Sequence, residues 1–204
     1  MKISPSAVSR KQRNTMPPSA KRNRVRIIGG AWRTRLIEFP DVPDLRPTTD
    51  RVRETLFNWL GQTLYGKSCL DLFAGSGALG FEALSRHAQQ VTMVEKQREV
   101  LSALQANATR LGACNLTLVS ADACQYLHTC KELFDVVFLD PPFKSDLMGE
   151  ILTLLPGILA RDAVVYLESD HELHEVAARW KILKSSHAGR VAFGLIGAPE
   201  LGDA

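Results

Sequence analysis

The chain has 204 residues, of which 45% are hydrophobic and 23% are charged, values that suit one well-buried α/β domain with a small appendage. Its formal charge of +3 is unevenly distributed, because residues 1–37 carry ten Lys or Arg and no Asp or Glu, whereas the remaining 167 residues have a net charge of −7. The sequence has no apolar run long enough to span a membrane, no CxxC pair and no secretory signal. These features exclude membrane proteins, zinc ribbons and secreted proteins, and they predict a cytoplasmic protein.

The first segment is a basic leader. Residues 1–23 are rich in Ser, Pro, Lys and Arg and contain few large apolar side chains, so we expect this segment to be disordered. A basic arm on an acidic body is typical of proteins that bind a polyanion. A solvated leader that only aids solubility is the alternative.

A small β-hairpin is predicted for residues 24–45, turning on Gly29 and Gly30. Trp32 and four arginines would share its polar face, namely Arg24, Arg26, Arg33 and Arg35. Guanidinium groups next to an aromatic ring can bind RNA phosphates and stack on an unpaired base, although an ordinary exposed hairpin gives the same pattern.

Residues 46–204 are predicted to form the main domain, which starts with a helix capped by Thr49 or Asp50. A buried stripe recurs at helical spacing through Val52, Leu56, Trp59, Leu60 and Thr63. Three arginines lie off this stripe and are either solvated or in contact with phosphate or a ligand carboxylate: Arg46, Arg51 and Arg53.

A glycine-rich turn follows the first buried strand of this domain, residues 69–73. Gly75 and Gly77 break the strand, and helical spacing then resumes, with polar positions at Glu82, Ser85 and Arg86. A strand, a glycine turn and a helix start are typical of a nucleotide-binding unit, although a turn needed only for packing fits as well. The Asp71 carboxylate inside the strand suits a ligand that carries an ammonium group, such as the methionine end of S-adenosylmethionine.

Two further acids follow the next two strands. Glu95 ends a strand at residues 91–95, where a carboxylate can accept both hydroxyl hydrogens of a ribose. Asp122 follows a strand at residues 116–119, where it can accept from an adenine amino group while the backbone N–H of Ala123 reaches a ring nitrogen. Asp122 can equally be the N-cap of the next helix, and the two roles can coexist.

A rigid corner follows the fourth strand, residues 134–139. The sequence Asp140-Pro141-Pro142-Phe143 places a carboxylate and a flat apolar ring at the carboxyl end of a buried strand, where open α/β sheets bind ligands. The other predicted elements are helices at 98–111 and 148–159, a fifth strand at 163–168 and an antiparallel hairpin at 181–183 and 191–196.

Four strand ends thus carry the acids Asp71, Glu95, Asp122 and Asp140 at one edge of a mostly parallel, seven-stranded sheet. They define one mononucleotide-sized pocket beside a corner for a flat substrate. The spacing Gly75-x-Gly77-x-x-Gly80 also matches a dinucleotide fingerprint, but no residues remain for the second nucleotide half of a dehydrogenase. The five histidines are scattered, so no metal site is predicted.

The constellation resembles the class I S-adenosylmethionine-dependent methyltransferases, which have a Rossmann-like α/β fold. The segment from Asp71 to Gly77 resembles their glycine-rich motif, and residues 140–143 resemble the (D/N)PP(F/Y) motif of enzymes that methylate exocyclic amino groups. The resemblance implies S-adenosylmethionine as cofactor, held by Asp71, Phe73, Gly75, Ser76, Gly77, Glu95, Asp122 and Ala123.

Further motifs narrow the resemblance: Arg26-Ile27-Ile28-Gly29-Gly30, Arg46-Pro47-Thr48, Arg51-Val52-Arg53-Glu54 and Phe57-Asn58. With these motifs the chain, from about residue 24 to residue 196, is similar to the bacterial 16S ribosomal RNA small-subunit methyltransferase D family. That family implies methyl transfer to the N2 amine of a guanine in 16S RNA, within a small-subunit particle. The implied catalytic residues are Asp140, Pro141 and Phe143, and the predicted RNA contacts are Arg24, Arg26, Arg33, Arg35, Arg46 and Arg51.

Two departures from the family pattern are the long basic extension at residues 1–23 and Phe143 in place of the Tyr that many relatives carry. Two other functions remain open. A DNA adenine-N6 methyltransferase uses the same corner, although the chain has no room for a target-recognition domain. A non-catalytic RNA-binding assembly factor would keep the fold, although the intact acids at all four strand ends argue against it.

Overall fold

The computed structural model describes residues 22–43, 45–141 and 147–199, and the predicted disorder of residues 1–21 lies outside these ranges. Within them the chain forms nine β-strands and six α-helices. The strands are β1 (Arg22–Arg26), β2 (Leu36–Pro40), β3 (Ser68–Asp71), β4 (Gln90–Glu95), β5 (Leu116–Ser120), β6 (Phe134–Leu139), β7 (Leu159–Ser169), β8 (Lys181–Ala188) and β9 (Val191–Gly197). The helices are α1 (Asp50–Leu60), α2 (Ala78–Ser85), α3 (Arg98–Leu111), α4 (Ala123–Thr129), α5 (Met148–Leu154) and α6 (Leu173–Val176).

Seven strands form one sheet in the order β5-β4-β3-β6-β7-β9-β8. The five strands from β5 to β7 are parallel, and β9 runs antiparallel between β7 and β8. The predicted α/β fold, a mostly parallel seven-stranded sheet closed by an antiparallel hairpin, is therefore confirmed. Because β3, β4, β5 and β6 are parallel, their carboxyl ends meet at one edge, which is where such sheets bind ligands.

Two apolar cores cover the two faces of the sheet, because successive side chains of each strand point to opposite faces. On β3, for example, Cys69 joins the core under α1, α2 and α3, whereas Leu70 joins the core under α4, α5 and α6. The β1–β2 hairpin packs on the first of these faces, through Ile27, Ile37 and Phe39. The hairpin is thereby fixed to the same side of the sheet as the start of α1.

The hairpin exists as predicted, but its turn was placed wrongly. Its strands pair from Arg22 with Pro40 to Arg26 with Leu36, so the connection spans residues 27–35 and contains a short 3₁₀ helix. Gly29 and Gly30 do not form a tight turn, because they are needed for close packing on α2. A Cβ atom on Gly30 would overlap the backbone carbonyl of Ser85, and Gly30 also has a φ of +71°. Arg22 and Asn23 were expected in the disordered leader but belong to β1.

The polar residues predicted on α2 are buried rather than exposed, and so is Arg53 of α1. Glu82 accepts from the backbone N–H of Ile28 at 2.8 Å, and its carboxylate pairs with Arg53 at 3.4 Å and with Arg86 at 2.9 Å. Ser85 accepts from the backbone N–H of Trp32 at 2.9 Å. These charges are buried because they satisfy one another and the hairpin backbone, which joins the hairpin to α1 and α2.

Two helix ends differ from prediction for local reasons. α1 ends at Leu60 because Gly61 has a φ of 98°, so Thr63, predicted in the buried stripe, lies exposed outside the helix. α5 ends at Leu154, and residues 155–158 form a 3₁₀ helix, because Pro156 has no N–H for an α-helical hydrogen bond. In contrast, α3 has the predicted bounds with Gly112 as its C-cap. No helix in the described ranges is long and apolar enough to cross a membrane.

Candidate active site

The glycine-rich turn connects β3 to α2 at the carboxyl edge of the sheet. Gly75 and Gly77 have φ angles of 49° and 79°, a left-handed conformation that glycine adopts without strain. Asp71, at the end of β3, accepts a hydrogen bond from the backbone N–H of Gly80 at 3.0 Å. Ser76 is buried, and its hydroxyl accepts from the backbone N–H of Ala78 at 3.3 Å. The predicted cofactor turn is thus a closed loop held by its own polar side chains.

Burial strongly affects the ionisation of Asp71. Removal from water raises the pKa of this carboxyl to about 7 from an ordinary value of 3.8, and the nearby charge of Glu95 adds to the increase. The Gly80 N–H acts in the opposite direction because it stabilises the carboxylate. An approaching cation would stabilise the charged form, so Asp71 is suited to hold an ammonium group.

Glu95, at the end of β4, binds the glycine-rich turn across the sheet edge. Its two carboxylate oxygens accept from the backbone N–H groups of Gly75 at 3.1 Å and Gln97 at 2.8 Å. Glu95 is only half-buried, and each of its carboxylate oxygens has a lone pair left to accept a further hydrogen bond. This geometry is compatible with the predicted ribose contact, which itself stays a prediction.

Asp122 follows β5 and begins α4. Its side chain accepts from the backbone N–H of Cys124 at 3.0 Å, which confirms the N-cap role proposed for it. Ala123 is buried at the first position of the helix, and Phe73 is half-buried in the turn after β3. The contacts predicted between these residues and the cofactor remain predictions.

Asp140 follows β6 at the same edge and is held by a residue that lies before α1. Thr48 donates its hydroxyl hydrogen to Oδ2 of Asp140 at 3.2 Å, and Arg53 in turn donates to the Thr48 carbonyl at 3.1 Å. Burial raises the pKa of the Asp140 carboxyl well above its ordinary value, and the charge of Glu168 raises it further. Pro141 is buried. Pro142 and Phe143, the rest of the predicted corner, lie outside the described residues.

Glu168 and Thr48 were not among the predicted catalytic residues. Glu168 lies near the end of β7 and is buried, with Oε1 accepting from the Tyr166 hydroxyl at 2.7 Å. In the sequence, the position of Glu168 near the end of the fifth parallel strand could have marked it as a candidate site residue. Thr48 was quoted only as part of a motif, and its contact with Asp140 joins residues 92 positions apart.

The six predicted RNA-binding arginines are all exposed, but they differ in their partners. Arg24 pairs with Glu38 at 3.1 Å, and Arg26 pairs with Asp50 at 3.5 Å. The other four make no ion pair with any described residue: Arg33, Arg35, Arg46 and Arg51. Arg26 and Arg33 line a cavity of about 200 Å³ together with Asp50 of α1, so the hairpin connection and the start of α1 are neighbours.

No group of three or more metal-ligating side chains occurs in the ranges that the structure describes.

The carboxyl edge of the sheet offers three carboxylates and a glycine turn next to a fourth carboxylate, Asp140. This arrangement can hold a nucleotide-like ligand with a positive group and present an acceptor to a flat polar substrate.

Comparisons with known proteins agree with this geometry. A family model described as "Conserved hypothetical protein 95" matches residues 25–196. The chain is 46% identical over 183 residues to ribosomal RNA small subunit methyltransferase D of Escherichia coli K12, covering 88% of this chain and 92% of that protein.

Solved structures give the same result. A putative methyltransferase from Escherichia coli superposes with a TM-score of 0.79 at 45% identity, covering 87% of this chain and 99% of the other. A more distant putative methyltransferase complexed with SAH has a TM-score of 0.64 at 16% identity, covering 79% of this chain and 53% of the other, and shows a likeness of fold alone.

Proposed function

The chain belongs to the ribosomal RNA small subunit methyltransferase D family, and from this premise we propose that it transfers a methyl group from S-adenosylmethionine to the exocyclic N2 amine of a guanine in 16S ribosomal RNA. The observation that carries the proposal is the position of Asp140. Its carboxyl lies at the sheet edge that carries Asp71 and Glu95, and Thr48 holds one of its oxygens.

The residues at this edge fit the cofactor. S-adenosylmethionine supplies a methyl group on a positively charged sulfur, which is an activated leaving group. Asp71 would hold the ammonium group of the methionine part, and Glu95 would accept from the ribose hydroxyls. Asp122 and the N–H of Ala123 would contact the adenine. The donor set supports this assignment, because carboxylates lie at the carboxyl ends of three neighbouring strands, and Gly75 and Gly77 form the left-handed turn that follows the first of these strands.

Asp140 is suited to orient the substrate amine. The lone pair of guanine N2 is delocalised into the ring, so the free amine is a poor nucleophile. If Asp140 and the carbonyl of Pro141 each accept one N2 hydrogen, the nitrogen is held in a geometry that directs its lone pair toward the methyl group. Positioning of this kind contributes on the order of 7–11 kcal/mol to a two-substrate reaction.

The base must leave any helix to reach this corner. Phe143, which lies outside the described residues, is proposed to stack on it. Contacts to the RNA backbone would come from the four arginines that make no ion pair within the described ranges, Arg33, Arg35, Arg46 and Arg51, with smaller contributions from Arg24 and Arg26. We further propose that the substrate is the small ribosomal subunit or its assembly intermediate, so that the enzyme acts in the cytoplasm.

The experiment that tests this function is transfer of radiolabelled methyl from S-adenosylmethionine to small subunits, naked 16S RNA and duplex DNA in parallel. We expect label in small subunits, recovered after digestion as N2-methylguanosine. Label in DNA as N6-methyladenine would contradict the proposal and identify a DNA methyltransferase. Binding of the cofactor without transfer to any of the three substrates would also contradict it.

A further inference from the structure

We propose that Arg53, a buried arginine of α1, is a positioning residue for the methyl transfer: its guanidinium fixes the backbone of Thr48, and the Thr48 hydroxyl fixes the carboxyl of Asp140 for the substrate amine. Arg53 thus acts on the reaction through Thr48. The inference rests on the proposed function, because it takes Asp140 as the group that accepts a hydrogen from the amine.

The guanidinium of Arg53 has no exposed surface and is held by four acceptors. Its Nε donates to the carbonyl of Thr48 at 3.1 Å, and Nη2 donates to the carbonyl of Arg26 in the hairpin at 2.8 Å. Nη2 also donates to Asp50 at 2.6 Å, and Nη1 donates to Glu82 of α2 at 3.4 Å. All three nitrogens of the planar guanidinium are therefore engaged, which holds the group in one orientation.

Thr48 depends on this guanidinium for its position. Residues 45–49 form no helix or strand. Within the described ranges, the bond from Arg53 is the only hydrogen bond that the Thr48 backbone makes. Thr48 is nevertheless buried, and its hydroxyl contacts Asp140 across 92 positions of sequence. Loss of the Arg53 bond would therefore release the backbone that carries this hydroxyl.

The hydroxyl of Thr48 affects both the orientation and the charge of Asp140. It donates to Oδ2 at 3.2 Å, which restricts rotation of the carboxyl. The other oxygen, Oδ1, has no hydrogen-bond partner among the described residues and is free to accept from the amine. Burial raises the pKa of this carboxyl, and the donated hydrogen opposes that effect because it stabilises the ionised form. Thr48 therefore favours the form of Asp140 that can accept.

Arg86 provides a way to separate this positioning role from a role in stability. It is buried in the same cluster and pairs with the other carboxylate oxygen of Glu82 at 2.9 Å. Its guanidinium also donates to Gln62, after the end of α1, where Arg53 donates to Thr48 instead. Because lysine lacks the planar fork of arginine, Lys at either position should lower the melting temperature. Only Arg53→Lys should also disturb the active site.

Single-turnover methyl transfer to small subunits tests the inference, with cofactor and RNA saturating and at a temperature at which every variant is folded. We expect Arg53→Lys to transfer at least about tenfold more slowly than the wild type and Arg86→Lys to stay within about twofold of it. Cofactor affinity should be unchanged in both variants. Equal transfer rates for the two variants would overturn the inference.

Substitutions of Thr48 test the second step. Thr48→Val replaces the hydroxyl by a methyl group and should slow transfer by about ten- to a hundredfold, whereas Thr48→Ser keeps the donor and should stay within about threefold of the wild type. Thr55→Val is the matched control, because the Thr55 hydroxyl donates to the Arg51 carbonyl within α1, and its rate should equal that of the wild type. If Arg53→Lys does not fold, this series still decides, since Thr48→Val at the wild-type rate would overturn the inference.

The double variant Arg53→Lys with Thr48→Val tests whether the two residues act in series. Because Arg53 acts through Thr48, its substitution should add little once the hydroxyl is gone, and the double variant should transfer about as fast as Thr48→Val alone. Rate losses that multiply would show that Arg53 acts independently of Thr48 and would overturn the inference.

A further readout does not depend on activity. In the cofactor-free protein with ¹³C-labelled aspartate, the Asp140 carboxyl should titrate at higher pH in Thr48→Val and in Arg53→Lys than in the wild type. The reason is that the donor that stabilises the ionised form is lost in the first variant and displaced in the second. The charges of Glu168 and Asp71, which also act on Asp140, are the same in all of these proteins.

The combined outcomes separate this inference from the proposed function. Thr48→Ser and Arg86→Lys should titrate like the wild type. If the wild type forms N2-methylguanosine but neither the rates nor the titration change in Thr48→Val and Arg53→Lys, the positioning role is refuted and the proposed function stands. If the titration changes but the wild type methylates no guanine of 16S RNA, the proposed function is refuted and the positioning of Asp140 stands.

Discussion

At the scale of single residues, Asp71 must be ionised to hold an ammonium group, although the protein disfavours that charge. The pKa of Asp71 is raised to about 7 in the cofactor-free protein, so this carboxyl is largely protonated at pH 6. If Asp71 holds the ammonium group as proposed, cofactor binding below about pH 7 requires loss of a proton. We expect the affinity for S-adenosylmethionine to rise as the pH increases from 5.5 to 7, by up to about tenfold per pH unit. Calorimetry across this range measures the effect, and an affinity that is independent of pH would contradict it.

The same pKa makes a prediction for stability. A carboxyl whose pKa is higher in the folded than in the unfolded protein binds more protons when folded, so its contribution to stability decreases as the pH rises from about 4 to about 7. Asp71→Asn removes this unfavourable charge and keeps an oxygen for the Gly80 N–H. At pH 8 the cofactor-free variant should melt at a higher temperature than the wild type, yet bind the cofactor at least about tenfold more weakly. Asp170→Asn, at an exposed position, should change neither property.

At the scale of elements, the hairpin is held by charges that are inaccessible to water. The Glu82 and Arg53 side chains have no exposed surface, and the Arg86 guanidinium packs over Phe57 at 4.8 Å. Glu82→Gln leaves the buried Arg86 guanidinium without its counter-charge and removes one of the two carboxylates that pair with Arg53, the other being Asp50. We therefore expect a loss of about 3–5 kcal/mol in the free energy of unfolding. Denaturant unfolding measures this loss, with the exposed Glu99→Gln on α3 as the control. A loss under about 1 kcal/mol would show that the cluster is not needed to hold the hairpin.

The arginines around the hairpin give a second prediction at this scale. We expect weaker RNA binding from a variant in which four arginines are replaced by Ala, namely Arg33, Arg35, Arg46 and Arg51. The slope of log affinity against log salt concentration should also become shallower, by about 0.7 for each phosphate that the variant no longer neutralises. Arg24→Ala is the matched control, because Arg24 already pairs with Glu38 at 3.1 Å. The control should change the slope little. An unchanged slope in the fourfold variant would assign RNA binding to another surface, and cofactor affinity should be unaffected in both.

At the scale of the whole molecule, the sequence predicted the sheet and its edge because those features depend on local patterns. The stretch from Phe134 to Leu139 is largely apolar and is a central strand, and the spacing of Val100, Leu104 and Leu111 placed α3 correctly. The acids at the four strand ends follow from the same patterns, since parallel strands bring their carboxyl ends together.

Features that depend on contacts between distant segments could not be predicted in this way. Gly29 and Gly30 looked like a hairpin turn, but their small size is used for packing against α2, where the Ser85 hydroxyl donates to the Gly29 carbonyl across 56 positions of sequence. Glu82 has the spacing of a solvent-exposed residue on α2, and only the hairpin and Arg53 explain its burial. Glu168 was overlooked because Asp140, the carboxyl whose pKa its charge raises, lies on another segment of the chain.

The central claim is that the protein transfers a methyl group to a guanine amine positioned by Asp140. The most direct test compares single-turnover methyl transfer to small subunits by the wild type and by Asp140→Ala. The labelled nucleoside is identified, and the cofactor affinity of both proteins is measured by calorimetry. We predict N2-methylguanosine from the wild type, at least about a thousandfold slower transfer by Asp140→Ala, and cofactor affinities within a few-fold of each other. Asp140→Ala that transfers methyl at the wild-type rate, or that loses cofactor binding in proportion to activity, would contradict the account.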